Sequence, residues 1–505
     1  MIPSRALKFP KLKAPSGSTL FYLAVAVFAS APAWIVRHPP LEDLPFHVSA
    51  IRVIHDFNDP TLHFADDYEL NVFHTSYVGY YLAGSLLAYF VGAYKANIAL
   101  MSLYLGGTPL ALRELLKALK KDERLCLFAV PLGVNVMFLY GLLPFVIGFP
   151  IMFLAMAYVV RDIERPTRNT GIAVAVLGVI LFYAHVLPFF LFGVAYIAFF
   201  PWTHPHKWVR AALPGVPSAL LAVWWARGSD AGHAAGHGGF TEIFKSPPLD
   251  QSFSQILQWS TNVFSDQSDE KWLLLQVIAA IIAIGLSQGE RDTSSALSRR
   301  FWVLPIVCIA GFVGLADHLG DVWLLAQRFP IPGLLCAIPL IRMPRDAVRG
   351  AIATGAILVV CAGSVINTCK HFIRFELEEV GDFDDAIAAI EPGKRTCGLI
   401  YDKGSSIVPN APFLHFVSYV QAEKGGLVMF SYAGFPHWPF DYKPGHYPPP
   451  GRPARLRWEW TPEQTPFREI YPYYDYVLER GNGFRPPMGY HEIFHRDRWR
   501  VWKRD

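Results

Sequence analysis

Glu42 and Asp43 form an acidic pair a few residues beyond an apolar run, Ser18–Val36. Neighbouring carboxylates held just outside a membrane-length segment can take the proton from a hydroxyl presented from water. The simpler account is local, because an acidic residue ahead of a helix often caps its first turn. From Pro45 to Phe57 the apolar residues Phe46, Ala50, Val53, Ile54 and Phe57 recur at helical spacing, with His47, Arg52 and Asp56 elsewhere on the wheel. This pattern predicts an amphipathic helix lying on the membrane surface beside the pair. A second pair, Asp66-Asp67, follows in the same loop, where a solvated turn is the plainer reading. His63 and His74 match no ligand spacing, so no metal is assigned, and a role for a divalent cation stays open.

Composition identifies the scaffold that must position these groups. Of 505 residues, 52% are hydrophobic and only 17% charged, and the mean hydropathy is +0.28. A soluble chain carries about a quarter charged residues. The deficit is explained by a series of apolar runs, Leu125–Tyr140 among them, many near the length of about twenty residues that crosses a bilayer as a helix. They lack the alternation of a membrane β-barrel. A net charge of +4 is too small to indicate nucleic acid, and the cations cluster between the apolar runs. The stretches Arg113–Arg124, Arg161–Arg168, His204–Arg210, Arg291–Arg300 and Arg342–Arg349 are therefore assigned to the cytoplasmic side. The loop after the first span, Arg227–Lys271, Asp317–Arg328 and Lys370–Asp505 then lie outside. Parity requires that of the two runs Val72–Gly92 and Ala96–Leu112 one does not cross, leaving about eleven spans, within a range of roughly ten to thirteen.

The sequence thus predicts an α-helical polytopic membrane bundle over residues 1–369, with surface helices in the external loop 37–71, and a soluble α/β domain over residues 370–505. In that domain Asp382–Ile390 reads as a helix and Thr396–Tyr401 and Tyr474–Glu479 as strands. Glu492–His495 with Arg498–Lys503 reads as a terminal hairpin. Five of the six cysteines lie in or beside apolar runs, leaving Cys397 alone in the polar region, so no disulfide framework arises. Ser18–Val36 reads as an uncleaved signal anchor, although Ala29-Ser30-Ala31 has the small residues of a cleavage site.

The acidic pair after the first span, followed by Phe46-His47 and a surface helix, resembles the start of the GT-C superfamily of polytopic membrane glycosyltransferases. That superfamily includes protein O-mannosyltransferases and bacterial transferases that decorate lipid A. The resemblance covers the whole chain as architecture but only this loop as sequence. It implies a bacterial inner-membrane enzyme that moves a sugar from a polyprenyl-phosphate donor to a glycan, lipid or protein acceptor at the outer face. It places the catalytic base on Asp43 or Glu42, with Asp43 favoured. Asp66, Asp67 and His47 become candidates for an acceptor site or second acidic site. A lipid phosphate needs cations at the interface. Arg328, in Ala326-Gln-Arg-Phe-Pro ahead of a short apolar run, is the first candidate, and Arg52 is the second. Helix anchoring is the alternative for both. His185, between two runs, is most simply a hydrogen-bonded residue at a helix break. His233, His237 and Phe240–Phe244 fall in an external loop suited to closing over a donor. Two rival functions share the architecture. A polysaccharide transporter or flippase should show charges within spans and related halves, which this chain lacks. A non-catalytic subunit of envelope-polysaccharide assembly would keep the bundle without the chemistry. In each case membrane lipids are partners and nucleic acid is not.

Overall fold

The computed structural model describes residues 16–72, 76–228, 255–319, 322–435, 437–451 and 456–505. His74, His233, His237 and Phe240–Phe244 lie outside the described residues.

Most of the chain is helical. Stretches long and apolar enough to cross a membrane are Val78–Ala118, Leu143–Glu164, Pro205–Gly228, Ala296–Gly314 and Ala347–Val380, joined by shorter apolar helices. Helix α1 (Gly17–Ala29) enters the bundle and is followed, after a turn, by α2 (Leu44–His55). Helix α3 (Val78–Leu105) is broken at Gly92, whose φ of 79° is far from helical. Its first part, residues 78–91, packs on α2, where Gly84 leaves room for the Ile51 side chain and Tyr89 meets His55. Beyond Gly92 the chain instead follows α1: Gly106 sits against the Ala26 carbonyl. In α4 (Gly107–Ala118) the Arg113 guanidinium lies over the Tyr22 ring. The second of the two apolar runs thus packs against α1.

At the centre stands α5 (Gly148–Glu164), buried on nearly every side. Against it pack α4, α6 (Arg168–Ala184) and α7 (Val186–Phe199), while α8 (Ser268–Leu286) packs on the long α11 (Ala347–Phe375) and α9 (Val303–Gly314) on the short α10 (Pro330–Ala337) and on α7. Val348, Ile352, Val359 and Ile366 are exposed along one stripe of α11, as lipid contact demands of a helix face. One predicted run differs. Leu125–Tyr140 is no continuous helix but a 3₁₀ turn (Glu123–Ala129) and a single α-turn (Val136–Leu139). Pro131 and Gly133 interrupt it, and the Asn135 side chain caps the second turn by accepting from Phe138 N. Such irregular backbone survives in a membrane bundle because protein encloses it.

The C-terminal region forms a four-stranded sheet. Strand β2 (Thr396–Ile400) runs parallel to β4 (Tyr476–Arg480), which pairs antiparallel with β6 (Trp499–Arg504), itself paired with β5 (Tyr490–Arg496). A second, two-stranded ladder ties this region to the loop that carries the acidic pairs: β1 (Tyr68–Leu70) pairs antiparallel with β3 (Phe440–Tyr442). Helix α12 (Val417–Lys424) covers α2 from the side opposite α3. This corrects the expectation of a helix lying on a membrane surface. Nine residues of α2 are buried, Leu44–Ile51 and Val53, so it is sandwiched in protein. The reason is that its polar residues are satisfied by protein groups: Ser49 donates to Gln421 Oε1 at 2.6 Å, and His47 meets Tyr81.

Candidate functional site

The acidic pair is fixed first by its own backbone. Glu42 N–H donates to Leu139 O at 3.0 Å and Asp43 N–H to Tyr140 O at 3.1 Å. The chain then turns at Gly141, whose φ is 78° and whose Cβ, if present, would stand 2.7 Å from Asp43 N. Only glycine fits this contact. His47 holds the same turn from the other side. Its Nε2–H donates to Gly141 O at 2.8 Å and Nδ1 accepts from Tyr81 Oη at 3.0 Å. Burial pushes the imidazole down to about 4. His47 is thus a neutral tie behind the pair.

Asp43 occupies the N-cap position of α2, yet its side chain makes no cap hydrogen bond. The carboxylate turns instead into a pocket of C-terminal residues. Asp43 Oδ1 accepts from Tyr432 Oη at 3.0 Å and lies 3.4 Å from His415 Nε2. The other nitrogen of His415 is 2.7 Å from Glu459 Oε1. Both His415 and Glu459 are buried, and Phe46 stacks against the imidazole with ring centroids 4.2 Å apart. Burial alone would lower the basicity of His415. The charge of Glu459 and the contact with Asp43 outweigh it and push the imidazole up to about 10. Glu42 is buried beside Asp43 and accepts from Ala411 N at 3.2 Å. Burial, opposed by His415 and reinforced by Asp43, pushes its carboxyl up to about 7. Three carboxyl groups thus surround one imidazolium, with the Glu42 proton labile near neutral pH.

A cation approaches from the bundle. Arg328 sits in the turn before α10, its guanidinium 6.0 Å from the Phe145 ring centroid. Burial lowers its pKa, opposed first by Tyr77 and then by the charge of Asp43. Arg328 Nη1 is 3.1 Å from His185 Nε2. His185 caps α7 by accepting from Leu187 N on Nδ1 at 3.0 Å. A neutral imidazole that accepts on Nδ1 carries its proton on Nε2. Two N–H donors therefore face each other here; Arg328 Nη2 donates to Trp323 O at 3.0 Å, while Nε is buried with no hydrogen-bond partner among the described residues. Such a cluster suits an oxygen acceptor, above all an anionic one.

The remaining predicted residues lie apart from this centre. Arg52, two turns further along α2, is paired with Asp56 at 2.6 Å. Asp66 pairs with His63 at 2.7 Å and is exposed. Asp67 meets His446 at 3.1 Å beside the ladder of β1 and β3. Among the described residues no group of three or more His, Cys, Asp and Glu could hold a metal ion. Sequence reading missed His415, Tyr432 and Glu459. The one local signal was Glu459 itself, an acid between Trp458 and Trp460, because a carboxylate flanked by tryptophans in a short helix is poorly solvated.

No protein-family model matches the chain, and no curated protein matches it. Solved structures do. The chain is similar to ArnT from Cupriavidus metallidurans bound to undecaprenyl phosphate, with a TM-score of 0.56 and 11% identity over 97% of this chain and 98% of that one. The apo state of the same protein gives a TM-score of 0.53 at 11% identity, over 96% and 97% of the two chains. At this identity the likeness is one of fold, and it spans both chains from end to end. The chain thus shares the fold of that protein over nearly its whole length.

Proposed function

We propose that the protein is an inverting glycosyltransferase of a bacterial inner membrane, using a polyprenyl-phosphate sugar at the outer end of its bundle. Asp43 is the base. It takes the proton of an acceptor hydroxyl as the oxygen attacks the anomeric carbon. The bond from that carbon to the phosphate oxygen breaks on the opposite face, and polyprenyl phosphate leaves with the bonding pair. Arg328 and the Nε2–H of His185 hold the departing phosphate. His415, kept charged by Glu459, and Tyr432 orient the Asp43 carboxylate from the C-terminal domain.

The observation that carries this reading is the Asp43 side chain, which starts a helix without capping it and faces Tyr432 and His415 instead. The similarity to a protein crystallised with undecaprenyl phosphate supports the donor class. The acceptor is a hydroxyl on a glycan, lipid or protein of the envelope.

The test is consumption of polyprenyl-phosphate sugars by purified protein with a hydroxyl acceptor. Asp43→Asn, which keeps the shape, is expected to slow transfer by about 10²–10⁴-fold, the usual contribution of a positioned base. Wild-type turnover retained in a stably folded Asp43→Asn variant would remove Asp43 from the chemistry. Failure of the wild type to consume any of several lipid-linked sugars would favour a transporter or a non-catalytic subunit.

A further inference from the structure

At the end of the bundle away from Asp43 lies a second charged site. Helix α11 measures the separation. Its C-terminal end leads to Glu376, which pairs with His38 near the acidic pair. Its N-terminal end, 29 residues earlier, is about 43 Å away at the rise of an α-helix. There the chain following α4, the chain following α8 and the segment leading into α11 enclose a cleft of about 240 Å³.

Its walls carry five cations, Lys120, Lys121, Arg291, Arg342 and Arg345, against three carboxylates, Asp122, Glu290 and Asp292. The carboxylates are all engaged, and of the cations Lys120 is paired outside this lining with Glu164 at 3.3 Å. Asp122 pairs with Arg124 at 2.6 Å, and both oxygens of Glu290 accept from the backbone N–H of Arg345 at 3.0 Å. Asp292 reaches Arg342 at 3.5 Å. Among the described residues, no carboxylate pairs with the Lys121 ammonium. Burial and the charge of Arg342 both lower its pKa, with Asp292 opposing from beyond pairing distance. A half-buried ammonium and a guanidinium that share the single Asp292 carboxylate, held by Arg342 at 3.5 Å, leave N–H donors for a further anion. Leu125, Ile341 and Met343 add apolar lining. From the same mouth, the exposed stripe Val348, Ile352 and Val359 runs up α11 and offers a track for an acyl chain. Basic pockets between spans at the membrane surface bind acidic lipid headgroups by this combination.

We propose that the cleft formed by Lys120–Leu125, Ser287–Ser294 and Ile341–Arg345 binds the headgroup phosphate of an anionic phospholipid in the leaflet away from the acidic pair. The phosphate takes donors of Lys121 and Arg342 that Asp292 does not engage, and it ties three segments that carry no direct role at the far end. This site is independent of the glycosyltransferase reading.

The experiment uses the full-length protein in neutral detergent and native mass spectrometry. Phosphatidylglycerol or phosphatidylcholine with identical chains is added, and excess inorganic phosphate serves as a soluble competitor. Phosphatidylglycerol adducts are expected to persist where phosphatidylcholine adducts do not, and inorganic phosphate should not displace them. Lys121→Ala with Arg342→Ala should cut phosphatidylglycerol retention about tenfold or more, since each cation at a lipid surface is worth roughly a factor of five. Arg165→Ala with Arg168→Ala, in another basic loop, should leave it unchanged. If the double alanine variant does not fold, Lys121→Gln alone serves, and the wild-type comparison of the two lipids still decides. Equal retention of both lipids, or full retention in a folded cleft variant, overturns the site. Displacement by inorganic phosphate overturns the lipid and leaves a soluble anion.

Discussion

Three acids around one imidazolium make a centre whose charge depends on pH, and the sign of that dependence follows from the shifts. The folded protein holds a proton on His415 more tightly than the unfolded chain does, with a pKa raised from 6.5 to about 10. That stabilisation is complete below 6.5 and is lost as pH rises through 10. Glu42, raised from 4.5 to about 7, likewise contributes below 4.5 and loses its contribution by about 7. Thermal unfolding in detergent should therefore show wild-type stability falling over 6.5 to 10 more steeply than in His415→Gln. Glu42→Gln should flatten the fall between 4.5 and 7. Parallel curves for wild type and His415→Gln would mean that the imidazole is not charged in the fold. Arg328 supplies a second test. Arg328→Ala should raise the donor concentration needed for half-maximal transfer by about tenfold or more, and Arg328→Lys should recover part of the loss, as a point charge without the fork. A residue that only anchors its helix would lower the melting temperature and leave donor dependence alone.

At the scale of elements, the site depends on how two turns and one helix are pressed together. Gly141 lets the 139–141 turn meet Asp43 backbone to backbone, and a methyl group there has nowhere to go. Gly141→Ala is expected to cost both stability and activity, since the new methyl meets Asp43 backbone at a positive φ. It should displace Asp43 while most of the bundle stays in register, so kcat should drop by about tenfold or more while KM for the donor changes little. An unchanged kcat would show that the acid tolerates displacement. The same elements explain what could be read from the chain beforehand. The acidic pair, helix α2 and the terminal hairpin were legible because each is a local pattern of spacing and turn residues. His415, Tyr432 and Glu459 were not, because they join Asp43 only through the packing of α12 and the C-terminal sheet; Tyr432 is 389 residues distant in the chain. The amphipathic pattern of α2 was read correctly as a helix and wrongly as a membrane-facing one. Periodicity reports which face is apolar, but it does not tell whether lipid or protein covers the polar face. Leu125–Tyr140 failed for the opposite reason, since an enclosed irregular segment is as apolar as a spanning helix.

For the whole molecule the question is which side of the membrane holds the acidic pair. The cations sort strongly by end. Lys120, Lys121, Arg291, Arg342 and Arg345 gather around one cleft, far along α11 from the Glu376–His38 pair. Positively charged loops remain in the cytoplasm, and on that ground we propose that the end with the cleft faces inside and Asp43 outside. The C-terminal region cannot be assigned separately, because it builds the site: β3 pairs with β1, Ser49 with Gln421, and His415 with Asp43. A phosphatase fused after Asp505 should consequently be active only if Asp43 also faces the periplasm. We expect full activity there, and no signal from a reporter that folds only in the cytoplasm. A cysteine introduced at exposed Asp66 should be labelled by an impermeant reagent from the same side, and one introduced at exposed Arg291 should not. Labelling of both from one side would break the link between the charge distribution and the topology. Activity of the cytoplasmic reporter would turn the bundle over, and the donor would then have to be drawn from the inner leaflet.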